Sequence, residues 1–239
     1  MTTIPRSRSF TLPGETRSPL LLRVGFWICI VIAVAVVLRR IFALAASSHS
    51  GPPQMAGLDD AFASHAALTL AHILPALLFV LLAPFAAFAR FARFRWPDRI
   101  LFPLGAIVGL TAYAMSAYAV GGWIERSAVF FFDSLFLYAL ARAFWHDRNN
   151  QPVLKRRWLL RAIAVLLGIA TTRPVMGLFF ATSAVTHLAP NQFFGVAFWI
   201  GFSINTLVFE LWLRSLDRRA KVNETARLGS PEQVRGVLL

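Results

Sequence analysis

With 239 residues, 57% of them hydrophobic and 22 of them Phe, the chain carries more apolar surface than a water-soluble domain of this length can hide. Its formal net charge of +13, from 24 Lys and Arg against 11 Asp and Glu, would suggest nucleic acid in a soluble protein. Here the basic residues fall between long apolar runs, which excludes a nucleic-acid partner and points to a lipid bilayer.

In chain order, residues 1–19 form a polar, charged tail, and six apolar runs follow at 20–38, 66–88, 100–120, 128–145, 158–180 and 192–213. Each is close to the roughly 20 residues that carry a helix across about 30 Å of hydrocarbon. In hydrocarbon every backbone N–H and C=O must bond within its own segment, and runs with no strand-period alternation do so only as helices. The expected fold is therefore all-α, a polytopic transmembrane bundle over 20–213 closed by a second polar tail at 214–239. No connection is long enough for a separate soluble domain, and no internal repeat is visible.

Orientation follows from the connections, because translocation disfavours Lys and Arg. One side receives 19 of the 24 basic residues: those of the N-terminal tail and Arg23, the run Arg90 to Arg99, the cluster from Arg142 to Arg157, and those from Arg214 onward. The other side receives Arg39, Arg40 and Arg126, while Arg161 and Arg173 fall within a span. Both termini are expected in the cytoplasm of a bacterial cell, with the bundle in its inner membrane. Arg39-Arg40 is the discordant pair, since it follows the first span on the outer side. Its apolar stretch is short, and Ala43-Leu44-Ala45 offers a small-residue cleavage site, so a cleaved signal that leaves five spans is the alternative to a retained first helix.

The connection 47–64 is the one long outer loop; Ser47 to Pro53 reads as irregular and 58–64 as a short helix leading into the second span. From Phe85 to Trp96, phenylalanines recur every third residue with arginines between them, the pattern of a helix that outruns the hydrocarbon and meets anionic headgroups before Pro97 ends it. Gly105 and Gly109, continued by Ala112 and Ser116, give the third span a small-residue face for close helix packing within the chain.

Ionisable groups inside spans are the best functional pointers, because each costs at least about 2.5–3.5 kcal/mol at the membrane centre unless it finds a partner, water or the interface. His72, Asp133 and Arg173 each lie about six or seven residues from the outer end of their span, and Tyr113 falls at a similar level. At about 1.5 Å per residue these four side chains, from four helices, share a depth of about 10 Å. They are the candidate ligand-binding residues. Pro174 removes the hydrogen bond to the Ala170 carbonyl and Pro75 that to Ala71, so kinks are expected at Thr171-Thr172-Arg173-Pro174 and after His72. Arg161 and Glu210, near the inner ends of spans five and six, are expected to snorkel or to pair. The single cysteine, Cys29, excludes a disulfide and a thiolate metal site. Among the five histidines, His72 with His187 of the outer loop is the pair that would ligate a haem or metal ion.

His72-Ile73 at the opening of a span, Trp158-Leu159-Leu160-Arg161 after a basic loop and Thr172-Arg173 about a dozen residues later make residues 66–180 resemble a bacterial membrane family, domain-of-unknown-function family 2306. Two of the family's elements are altered. Its His-Arg before the third span stands here as Trp96-Pro97-Asp98-Arg99, and Lys155 occupies the place of the histidine ahead of Trp158. The family's histidines invite a redox or metal role, of which this chain keeps one position in three, and the resemblance implies no known reaction. Four functions remain open: binding of a small anionic or quinone-like ligand, or proton relay, at the polar cluster; transport of a small solute; a non-catalytic scaffold held by an Asp133–Arg173 pair; and a haem redox protein.

Overall fold

A computed structural model describes residues 20–45, 60, 62–88 and 96–228. Seven helices account for nearly all of them: α1 Leu20–Ala45, α2 Ala66–Ala87, α3 Trp96–Ser116, α4 Gly122–Arg148, α5 Pro152–Leu166, α6 Gly168–Thr186 and α7 Pro190–Leu228. No strand occurs among the described residues. The expected tail 1–19, the outer loop 47–59, the arginines at 90–95 and residues 229–239 lie outside the described residues.

Six spans are long and apolar enough to cross a membrane, with α5 and α6 sharing the fifth, Pro152–Ser183. The protein is an all-α transmembrane bundle. The fifth span is central: α5 packs on α2, α4 and α7, and α6 on α7 and α1. Phe79, Phe136, Leu159 and Ile163 fill the contact among α2, α4 and α5, each almost fully enclosed. The lipid side carries residues such as Val31, Leu110, Leu178 and Leu207, which water would disfavour and hydrocarbon accepts.

Several boundaries differ from the sequence expectation. The first helix runs on through Arg39-Arg40 to Ala45 and packs against α2 and α6. The fourth starts at Gly122 rather than 128, and the sixth continues through Asp217 to Leu228, drawing the first part of the expected tail into helix. The helix is continuous at both places where a proline is expected to kink it. The fifth span is interrupted at Leu167, while α6 passes through Pro174, and α2 is unbroken at Pro75. Gly168 lies so close to α7 that a β-carbon there would stand 2.6 Å from Phe202, so helix packing sets the break where it falls. Gly105 and Gly109 do serve packing within the chain: added β-carbons would strike Leu140 and Leu137 of α4.

Candidate functional site

The bundle encloses a cavity of about 240 Å³. Its walls come from the C-terminal half of α1, the start of α2, the end of α3, the start of α4, the α5–α6 junction and the first half of α7. All of these belong to one end of the molecule, the end whose connections are poor in arginine. Most of the wall is apolar, with Phe132, Phe136, Phe198 and Phe202 on it, and a few ionisable groups converge there.

His72, Asp133 and Arg173 all line this cavity, so the coincidence of depth in the sequence corresponds to a shared space. Tyr113 does not line it. Its hydroxyl is 2.6 Å from Ser134 Oγ and its ring lies by Phe130, because α3 is rotated so that this position faces the flank of α4.

His72 is held by α3. Its Nδ1 lies 3.0 Å from Thr111 Oγ1, and that hydroxyl is itself 2.6 Å from the Ile107 carbonyl one turn back. Asp133 is 9% exposed, and its Oδ2 is buried with no hydrogen-bond partner among the described residues. Arg173 sits in the second turn of α6; its Nη1 lies 3.7 Å from the Met176 sulfur, and its Nε is buried with no hydrogen-bond partner among the described residues. Asp133 and Arg173 form no ion pair within 4 Å, so the structural pair expected from the sequence is not made. The carboxylate in electrostatic reach of Arg173 is Glu125, and Arg39 and Arg40 are the neighbouring cations.

Glu125 was not expected at the site, because span four seemed to begin after it. Its carboxylate Oε2 accepts from the Gly121 backbone N–H at 2.7 Å, reaching back to the helix start as the acid of a capping box does. An acid in the first turn of a helix after Gly-Gly was the available sequence signal. The start of α4 is clamped to α7 at Gly195, where a β-carbon would lie 2.5 Å from the Glu125 backbone nitrogen. Arg40 lines the cavity with its guanidinium 4.1 Å above the Phe62 ring. One of the two discordant arginines thus belongs to the cavity wall. His65 and Tyr118, whose rings are 3.6 Å apart, complete the rim.

Chemically, the cavity combines a half-buried cation whose Nε lacks a partner among the described residues, a buried carboxyl whose Oδ2 also lacks one, and a histidine anchored on one edge. Unpaired polar groups in an apolar enclosure carry a desolvation cost that a complementary occupant would offset. His187 caps the end of α6 in a left-handed conformation, φ 53°, and is not on the cavity wall, so it does not share that space with His72. Among the described residues no three His, Cys, Asp or Glu side chains gather in metal-binding geometry.

No curated protein and no solved structure matches the chain. One family does, over residues 64–213, which extends the resemblance seen at 66–180 through the sixth span; it is described as predicted membrane protein, domain of unknown function 2306. That match covers more than half of the chain and takes in α2 to α6 and most of α7 with the cavity residues they carry, so this protein is a member of the DUF2306 family of membrane proteins.

Proposed function

We propose that the cavity binds a small, largely apolar molecule with an anionic or carbonyl head, and that Arg173 holds the head. The observation that carries this reading is the Arg173 side chain: a guanidinium on the wall of an apolar cavity, its Nε buried and without a hydrogen bond. A half-buried cation with an open donor favours an oxyanion, and an arginine binds a carboxylate through its planar fork. The phenylalanines of the wall suit a flat, unsaturated body, which keeps both aromatic acids and quinone-like rings within the class.

The arginine-poor end faces the cell exterior in this reading, and the 19 basic residues of the other end lie on the cytoplasmic side of a bacterial inner membrane, against anionic lipid. A cysteine placed at Asn149 should then react with an impermeant maleimide only in permeabilised cells; labelling in intact cells would invert the orientation.

Benzoate is a simple probe of the ligand class. Isothermal titration of the protein in lipid nanodiscs should show saturable benzoate binding that Arg173→Gln weakens by about tenfold or more, the worth of a charge-assisted hydrogen bond of about 1.5–3 kcal/mol. Binding that is absent, or equal in the folded variant, would reject the reading.

A further inference from the structure

We infer that the occupant of this cavity carries a hydroxyl group, and that His72 receives its hydrogen bond through Nε2. The inference rests on the ligand-binding reading above and narrows its substrate class to hydroxyl-bearing aromatic acids and quinols.

The argument begins with Thr111. A hydroxyl has one proton, and Thr111 Oγ1 lies 2.6 Å from the Ile107 carbonyl and 3.0 Å from that of Val108, both pure acceptors. Its proton is therefore committed to the backbone of its own helix, the usual bonding of a threonine inside a helix. Thr111 can then only accept from His72, so the Nδ1 found 3.0 Å away carries a hydrogen and donates. In a neutral imidazole, a proton on Nδ1 leaves Nε2 as a bare acceptor. The ring also bonds the Val108 carbonyl of α3, and with the Nδ1 edge turned to that helix, Nε2 is the nitrogen left for the cavity wall on which His72 stands.

The cavity's unfilled polar groups thus have complementary signs. Arg173 presents donors and Asp133 Oδ2 a buried oxygen without a partner among the described residues, and the tautomer argued above makes His72 Nε2 an acceptor on the same wall. An occupant that satisfies both needs an oxyanion or carbonyl for Arg173 and an O–H for the acceptors. An oxidised quinone has carbonyls and no donor, so it leaves Nε2 unfilled, while a quinol or a hydroxylated aromatic acid fills both. An acceptor on an apolar wall that the occupant fails to satisfy loses the hydrogen bond that water would give it, which makes the hydroxyl a source of selectivity.

The test compares benzoate, 3- and 4-hydroxybenzoate and 4-methoxybenzoate by titration of the protein in nanodiscs. The better hydroxybenzoate isomer should bind about five- to tenfold tighter than benzoate, for one net hydrogen bond, and the methoxy compound should gain nothing because it cannot donate. His72→Asn is the decisive variant: its side-chain amide can still donate to Thr111 from the Nδ1 position but has no Nε2. With thermal stability showing that the variant folds, the ratio of hydroxybenzoate to benzoate affinity should fall to about one, whatever its affinity for benzoate itself. If benzoate binds with dependence on Arg173 but neither hydroxy isomer gains, or if the gain survives His72→Asn, this inference fails and the ligand-binding reading stands. If no aromatic acid binds, both fall.

Discussion

The two ends of the bundle treat charge in opposite ways. At the arginine-rich end, Arg161 Nε meets Glu210 at 3.0 Å, Arg214 joins the same carboxylate at 3.4 Å, Arg157 pairs with Asp217 and Lys155 lies 3.1 Å from Asp147. Arg156 donates to the Ala87 carbonyl at 2.7 Å and so satisfies the end of α2. At the arginine-poor end, Arg173 and Asp133 stand on the apolar cavity wall and no ion pair joins them. Interfacial charge that is paired within the protein stabilises and positions helices. Charge held unpaired in an enclosure costs stability, and a sequence that retains it spends that stability on something outside the fold.

Gly195 tests whether the arginine-poor end depends on an unusually close helix approach. In Gly195→Ala the new β-carbon would meet the Glu125 backbone nitrogen at 2.5 Å and the Ile124 carbonyl carbon at 2.9 Å, and backbone cannot swing aside as a side chain can. The start of α4 must move away from α7. The expected cost is about 3 kcal/mol, the upper range for overpacking, read as a lower melting temperature in detergent. Gly109→Ala, whose β-carbon meets only the Leu137 side chain, should cost much less. Equal melting temperatures for the two variants would remove the clamp from the account.

Arg161→Met probes the opposite end. It leaves Glu210 with Arg214 alone, whose side chain is 66% exposed, so stability should fall by about 2 kcal/mol, less than a fully buried pair would lose. Replacing Glu210 by Met as well should restore most of it, because the remaining cost is that of an unpaired carboxylate. If the double variant is as unstable as the single, packing rather than pairing holds α5 to α7.

Much of this arrangement is legible in the sequence. Hydropathy and arginine spacing gave six spans because a bilayer penalises every unsatisfied backbone group, a constraint strong enough to read from composition. Counting residues from the span ends put His72, Asp133 and Arg173 at one level, and all three line one cavity. Depth follows from residue number, but rotation about the helix axis follows from packing, and that is where Tyr113 misled: it shares the depth but turns to Ser134. The same limit hid the interruption at Leu167. A proline marks where a carbonyl loses its bond, whereas the break fell at the glycine pressed against Phe202, a contact 34 residues away in the chain. Arg39-Arg40 stands out as an exception to the charge rule, and the structure puts Arg40 on the cavity wall, with both arginines in electrostatic reach of Arg173.

Asp133 gives the sharpest contrast, because the sign of the effect separates the two ends. If this carboxyl were half of a structural ion pair, its removal would strand Arg173 and cost about 3–5 kcal/mol. Its Oδ2 instead has no partner among the described residues, and desolvation of a lone polar group is a cost without a return. Asp133→Leu, similar in volume and facing the apolar wall near Phe132 and Phe136, should therefore leave the unliganded protein unchanged or raise its stability by about 1 kcal/mol. The same variant should weaken binding of the hydroxylated probe, since one of the two acceptors facing the cavity is gone. A gain in melting temperature together with a loss of affinity is the signature of a group kept for its ligand at the expense of the fold. A large destabilisation would instead make Asp133 part of the scaffold, and the two ends of the bundle would no longer differ in kind.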